Sequence, residues 1–385
     1  MPGGTGNGED ARGRPDAAAR PRAGQDQAPP QPRCAGHAMG GDPAGRPRVA
    51  DIALLAGVGT ATVDRVLHGR AHVRAATRAR VEAALRELAA SGGRPHVVAP
   101  PPPGMALRAF LGGQPGFAND ILARSLRHHA REAGIAMGVE FVLRREVAGL
   151  AGALAACARD GTTGVIVQPV GHPLVRDAIA ALIGAGVPVT AILSAPPSLP
   201  GLGYVGLDNH AAGRLAGRIA ALLCGGRGQI ACLTSSAYRS HEAREAGLRA
   251  ILQDRFPALE LVATVATDDD PAACRRETGA LLARHPGLSG LVSLAAGNRG
   301  IERALIDAGR AGRTHFVSFN LTPLTRAGLL SGHVSAVIHQ DMGRIARRAI
   351  RQLIAAHRGG APGPALVPAE LILRENLRDA EDALI

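Results

Sequence analysis

Residues 48–69 read Arg48-Val-Ala-Asp-Ile-Ala-Leu-Leu-Ala-Gly-Val-Gly-Thr-Ala-Thr-Val-Asp-Arg-Val-Leu-His-Gly69. Their apolar spacing predicts two short helices joined by a tight turn. Ile52, Leu55 and Ala56 fall on one face of the first helix. Gly57 suits the corner, because a tight helix–helix turn needs a backbone angle that glycine adopts most cheaply. Val58 plugs the angle between the helices. Val63, Val66 and Leu67 form the inner face of the second helix, leaving Thr60, Ala61, Asp64 and Arg65 outside. Helices this short do not hold together alone in water. A third is expected beneath them over Thr77–Leu88, with Val81, Leu85 and Leu88 in register.

Ile52–Gly69 resembles the headpiece of the lac-repressor (LacI/GalR) family of bacterial transcription regulators, whose motif runs V-A-x-x-A-G-V-S-x-A-T-V-S-R-V-L-N-G. The third helix extends the match to residue 90. The resemblance implies a homodimer bound to a palindromic operator in double-stranded DNA. Thr60, Ala61, Thr62, Asp64 and Arg65 would face the DNA, with Arg65 placed to read guanine. Arg48, Arg70 and Arg74 would meet phosphates, or would simply be surface arginines. The chain departs from the motif twice. Gly59 replaces a capping Ser, at a cost of roughly a few tenths of a kcal/mol. Asp64 replaces a second Ser, and its carboxylate repels phosphate unless Arg65 or a base amine neutralises it. The plainer alternative is a helical hairpin kept for packing.

A length of 385 residues suggests two or three domains. The chain is 46% hydrophobic, enough for sizeable cores. It has no membrane-length apolar run of roughly 18 residues and no signal-peptide core. A cytoplasmic, nucleoid-associated protein with no membrane partner is expected. The formal charge is +12 and every basic side chain apart from histidine is Arg. Between Pro47 and Ser91 seven Arg stand against four acids, a patch that would make DNA binding salt-dependent. Cys34, Cys157, Cys224, Cys232 and Cys274 are scattered, with no C-x-x-C pair. No metal, disulfide or cofactor is expected, and Cys157, Cys224 and Cys232 read as small buried hydrophobes.

Residues 1–46 are rich in Gly, Pro, Ala and Arg and read as a disordered tail. Met39 lies just ahead of the helical segment and is an alternative start. The DNA-binding headpiece spans 47–91. Residues 92–104 read as a linker stiffened by Pro100–Pro103. Many members of the family carry a hinge helix there, whose Leu wedges into the minor groove. This linker lacks that pattern, and its prolines forbid a helix through 100–103.

From 105 to 378 short apolar runs alternate with helical stretches, as in parallel α/β folds. Strands are expected at 107–111, 138–143, 164–168 and 187–193, then at 229–234, 259–265, 290–293, 315–320 and 334–339, with a last one over 367–373. Helices are expected at 117–133, 150–160, 173–184, 211–223, 242–256, 271–285, 300–309 and 342–357. The expected fold is a small all-α helix-turn-helix headpiece plus an α/β core of two Rossmann-like parallel-sheet lobes. That core resembles the periplasmic-binding-protein-like domain of the same family. One lobe would span 105–205 and 341–357, the other 206–339 and 364–378. The resemblance puts three crossings between the lobes, near 205–207, 340 and 357–363.

Ligands of open α/β sheets bind beyond the carboxyl ends of the strands. The residues found there form a ring of amide, hydroxyl, Asp and Arg groups. They include Gln168, His172, Asp208, Tyr238, Arg239, Arg244, Asn298, Asn320 and Gln340. Such groups suit a polyhydroxylated small-molecule effector. By resemblance, Phe117, Arg244, Asn298, Asn320 and Gln340 would contact it, although members often carry Asp where Asn320 stands. A sugar or sugar-like polyol is the first reading. A nucleoside, sugar acid or phosphate is the alternative, since Arg239 and Arg244 suit an anion. Plainer roles stand beside these: a helix cap for Asp208, a surface helix position for Arg244, a turn before Pro323 for Asn320, plain core for Phe117.

Gly201-Leu-Gly-Tyr-Val-Gly206 matches G-x-G-x-x-G, but it follows Pro-Ser-Leu-Pro and opens no helix, so it is not a dinucleotide fingerprint. His128 and His129 are adjacent and should diverge. Asp268-Asp-Asp270 reads as a solvated turn before Pro271. No catalytic set emerges. The sequence leaves a ligand-controlled DNA-binding regulator (most simply a repressor), a solute-binding protein with an impaired headpiece, and an α/β enzyme, in that order.

Overall fold

A computed structural model describes residues 49–56, 58–70, 73–90, 101–113 and 117–377. The tail expected over 1–46, Arg48, Gly57 and linker residues 92–100 lie outside these, as do the side chains of Leu55 and Phe117.

The first unit is three helices: α1 (Val49–Ala56), α2 (Thr60–Leu67) and α3 (Ala75–Ala90). Ile52, Ala53 and Ala56 of α1, Val63 and Val66 of α2, and Val81, Ala84 and Leu88 of α3 form one buried cluster. Val58 packs against it, and its N–H donates to the Ala53 carbonyl at 3.0 Å, which fixes the corner. Gly59 caps α2 through its backbone alone. Leu67 departs from expectation. It is 41% exposed, because α2 ends there and the inner stripe closes at Val66.

The second unit begins with β1 (Ala106–Gly112), α4 (Phe117–Glu132), β2 (Ala136–Val142), α5 (Val147–Ala156), β3 (Gly164–Val167), α6 (Pro173–Gly184), β4 (Val189–Ile192) and β5 (Leu202–Gly206). It continues with α7 (Asn209–Leu223), β6 (Gly228–Thr234), α8 (Arg239–Arg255), β7 (Leu259–Ala266), α9 (Pro271–Arg284), β8 (Leu288–Ser293), α10 (Asn298–Asp307), β9 (His315–Phe319), α11 (Pro323–Ser331) and β10 (Ala336–His339). The chain ends in α12 (Met342–Ala356), β11 (Pro364–Leu366), β12 (Glu370–Ile372) and a short turn.

Two six-stranded sheets result. The first runs β11-β5-β4-β3-β1-β2, all parallel, and the second β12-β10-β9-β8-β6-β7, with β12 alone antiparallel. β3 and β4 are buried along their whole length, as parallel strands covered on both faces must be. α12 lays Ile345, Ala349, Ile350 and Leu353 inward and packs on α4 and the first sheet. The chain crosses between sheets after β5, after β10 and between β11 and β12.

Three elements differ from the sequence reading. Residues 364–366, expected in the second lobe, form β11 and pair with β5 of the first sheet. The strand expected over 367–373 forms only at Glu370–Ile372, after the third crossing. Leu202–Gly206 is a strand in its own right, so the G-x-G-x-x-G match lies within a sheet. Pro323–Ser331 is a helix, opened by a Thr322–Thr325 capping box and closed by Gly332 in the left-handed region.

α7 and α8 pack unusually closely. A Cβ at Gly213 would overlap the Arg244 carbonyl, and one at Gly247 would overlap the His210 carbonyl. Only glycine fits either site, and the contact fixes α8 against the start of α7.

Candidate functional site

In the three-helix unit, α2 exposes Thr60, Ala61 and Arg65, while Thr62 and Asp64 are half-buried. Arg70 and Arg74 are exposed just beyond it. The cation beside the Asp64 carboxylate is not Arg65 but Arg70, at 3.6 Å, and the His68 ring nitrogen Nδ1 lies 3.0 Å from it. Both partners follow α2 directly, so the contacts form within the helix and its terminal turn. The face left outward carries Arg65 and two small polar or apolar positions, which suits entry into a major groove.

In the core, loops beyond the carboxyl ends of the two sheets meet. From the second lobe, Arg244 of α8 is 3% exposed. Its Nε donates to Asn209 Oδ1 at 2.9 Å and its Nη1 to the Leu294 carbonyl at 2.8 Å. The guanidinium carbon stands 4.1 Å from the centre of the Phe319 ring. Burial pulls Arg244 down to about 10, which still leaves it charged at neutral pH. Asn320 follows Phe319 with φ 67°, a conformation Asn tolerates better than most residues. It accepts from Gln340 Nε2 at 2.9 Å. Asn298 opens α10 and donates to the Phe319 carbonyl at 3.5 Å. Asn298 Oδ1 and Gln340 Oε1 are buried without a hydrogen-bond partner among the described residues. Such orphaned acceptors are uncommon in folded proteins and invite a donor.

From the first lobe, Gln168 Oε1 accepts from the Gly112 N–H at 3.2 Å. A cavity beside it is lined by Gly112, Arg144, Glu146 and Gln168 over Phe110 and Leu150. Tyr238 reaches across from the second lobe into this cluster and is 4% exposed. Its hydroxyl, also without a partner among the described residues, lies where a Cβ at Gly112 would be. Burial pushes that phenol up to about 12. The lobes are bridged further by Arg144–Asp269 at 2.6 Å, by the Gly171 N–H donating to the Ala237 carbonyl at 3.0 Å, and by Asn209 Nδ2 donating to the Leu193 carbonyl at 3.3 Å.

Other expected positions hold local roles. Asp208 caps α7 through the Ala211 N–H, and His172 caps α6 through the Leu174 N–H. Both are exposed. Arg239 is exposed and lies 3.8 Å from Glu242. Phe117 opens α4. Asp269 is not part of a solvated turn: its side chain is 8% exposed, pairs with Arg144 and accepts from the Ala296 N–H at 2.6 Å. His128 and His129 do not diverge either, since both lean on Glu132, at 3.4 and 2.9 Å. Their donor atoms and those of Glu132 lie within 4.8 Å of one another, but the positive charge of Arg347 bears on His129 and opposes a cation there.

Sequence reasoning missed Arg144. It follows the second strand, and the same rule that picked Gln168 after the third strand finds it. Asn209, one residue past the cap Asp208, is the polar anchor of that crossing.

A family profile described as "Bacterial regulatory proteins, lacI family" matches residues 48–89, and one described as "Periplasmic binding protein domain" matches 122–361, well over half of the chain. The chain belongs to the lacI family of regulatory proteins and carries a periplasmic binding protein domain. It is thereby a DNA-binding regulator. Solved structures similar to this lacI-family chain share the fold of its core. A solute-binding protein from Burkholderia graminis C4D1M in complex with D-arabinose has TM-score 0.67 at 19% identity, over 71% of this chain and 97% of that one. One from Agrobacterium vitis bound with alpha-D-tagatopyranose has TM-score 0.67 at 18% identity, over 72% and 98%. One from Actinobacillus succinogenes 130z with bound D-allose has TM-score 0.66 at 18%, over 70% and 98%. No curated protein sequence matches the chain. No helix among the described residues is long and apolar enough to cross a membrane.

Proposed function

We propose that this regulator is a homodimeric repressor that reads a palindromic operator and is controlled by a sugar-like polyol held between its lobes. The observation that carries the effector half is the wall formed by Arg244, Asn298, Asn320 and Gln340. Two of its buried amide oxygens await donors. Hydroxyl groups supply such donors, and the similar solved structures hold D-arabinose, D-tagatose and D-allose. In the cytoplasm, effector binding would shift the population between lobe arrangements, and operator affinity would change by the coupling free energy. In the headpiece, Arg65 would read a base while Thr60, Ala61 and Thr62 fit the groove. Arg48, Arg70 and Arg74 would hold phosphates. Arg70 would then exchange the Asp64 carboxylate for a phosphate.

The test is selection of genomic DNA fragments by the purified full-length chain across a salt series. Recovery of one short palindrome, lost in an Arg65→Ala variant, supports the proposal. Weak, sequence-blind binding that salt abolishes would refute it and favour a solute-binding protein with an impaired headpiece.

A further inference from the structure

Resting on the effector reading above, we propose that the cleft selects a polyhydroxylated monocarboxylate, of the aldonic or uronic acid class, over a neutral sugar. The buried wall carries one positive charge and no negative one. Arg244 is a cation 3% exposed, and everything it touches is neutral: the Asn209 amide oxygen, the Leu294 carbonyl and the Phe319 ring. Among the described residues no carboxylate lies within ion-pair distance of it. Arg144 is matched by Asp269 at 2.6 Å, whose charge also bears on Arg244 from beyond ion-pair distance, and Arg239, exposed, by Glu242 at 3.8 Å; Glu146, in the first-lobe lining, is exposed and not part of this buried wall. The nearby polar positions, Asn298, Asn320 and Gln340, are amides with no charge to offer. A buried charge without a counter-charge is costly to hold. A neutral sugar leaves that cost in place, whereas a ligand carboxylate removes it and matches the planar guanidinium fork.

One unmatched cation calls for one negative charge. A phosphate monoester brings nearly two, so a sugar phosphate leaves an excess. The hydroxylated part of the ligand follows from the orphaned acceptors. Asn298 Oδ1 and Gln340 Oε1 are buried without donors, and they are acceptors for hydroxyl groups, not for a carboxylate. The wall thus separates two tasks: guanidinium for the acid end, amide oxygens for the polyol end.

The test is calorimetric titration of the full-length chain with D-gluconate, D-galactonate, D-glucuronate and D-galacturonate, each beside its neutral parent aldose and the corresponding 6-phosphate. At least one acid is expected to bind at least about tenfold more tightly than both of its counterparts. An aldose or a sugar phosphate binding more tightly than every acid overturns the monocarboxylate assignment but leaves a sugar effector standing. Failure of the whole panel to bind overturns both, while operator selection separately decides the regulator reading. Arg244 is structural as well as cationic, so the diagnostic variant is Asn320→Asp, which adds a carboxylate to the wall at a backbone angle Asp tolerates. It is expected to weaken acid binding about tenfold and to leave or improve aldose binding. Unchanged acid affinity in N320D, with an unchanged melting temperature, overturns the proposal.

Discussion

Acidification should unfold this core through His241. The imidazole is 8% exposed, its Nδ1–H donates to the Ser235 carbonyl at 3.3 Å, and it stands edge-on to Tyr238 with ring centres 5.6 Å apart. Burial, with the positive charges of Arg244 and Arg144 adding to it, lowers its pKa from 6.5 to about 3. The unfolded chain therefore takes up the proton first. Stability from this residue is complete above pH 6.5 and declines as pH falls toward 3. The slope is about 1.4 kcal/mol per pH unit for one proton, so lowering the pH from 7 to 5 removes about 2 kcal/mol. Urea unfolding followed by far-UV circular dichroism at both pH values, in the native chain and in His241→Gln, isolates the contribution. The variant will be less stable at pH 7, because it loses packing. Its decline between pH 7 and 5 should nonetheless be smaller than that of the native chain by about 2 kcal/mol. Equal declines would refute the reasoning, since a residue that stays neutral in one state only must leave its mark on the slope.

Other outcomes follow from particular contacts. Arg65→Ala should weaken operator binding by about 1–3 kcal/mol and relax base preference at one position, read by mobility shift on operator variants. Tyr238→Phe removes a buried hydroxyl without a partner among the described residues. It should raise stability by about 1 kcal/mol, and a lower melting temperature would show that the hydroxyl is engaged. Gly213→Ala places a methyl on the Arg244 carbonyl. It should destabilise the core by at least about 1–3 kcal/mol and weaken effector binding, because the Arg244–Asn209 contact depends on that approach.

What the sequence made legible was whatever repeats with a period. The apolar stripe through Ile52, Val63, Val66 and Val81 appears directly as one buried cluster, and the alternation of apolar runs with amphipathic stretches gives two sheets of parallel strands. Local chemistry that breaks a period was hidden. β5 holds two glycines within five residues and looks like a loop until β4 and β11 flank it. α11 is short and opens on a proline, so its capping box shows only once Thr322 and Thr325 are seen together. Leu67 satisfies the spacing of an inner face but comes one residue too late to be covered. Among the candidate site residues, Asn320 and Gln340 stand directly after β9 and β10, where the strand pattern points, whereas Arg244 lies inside α8 and was singled out by the family resemblance. The Arg144–Asp269 bridge was not legible, because its partners lie in different lobes and nothing local links them.

The placement of the two tyrosines has an optical consequence. The chain contains no tryptophan and only Tyr204 and Tyr238, so under excitation at wavelengths that phenylalanine does not absorb its ultraviolet emission comes from those two phenols. Both stand where the lobes meet: Tyr204 on the strand that leads into the first crossing, with its hydroxyl donating to the Leu207 carbonyl at 2.8 Å, and Tyr238 inserted from one lobe into the other. Burial holds both phenols near 12, against about 10 in water. An opened core should therefore ionise Tyr238 at lower pH than a closed one. An alkaline absorbance titration, run with and without ligand, would report whether Tyr238 is covered by the other lobe, with no added label.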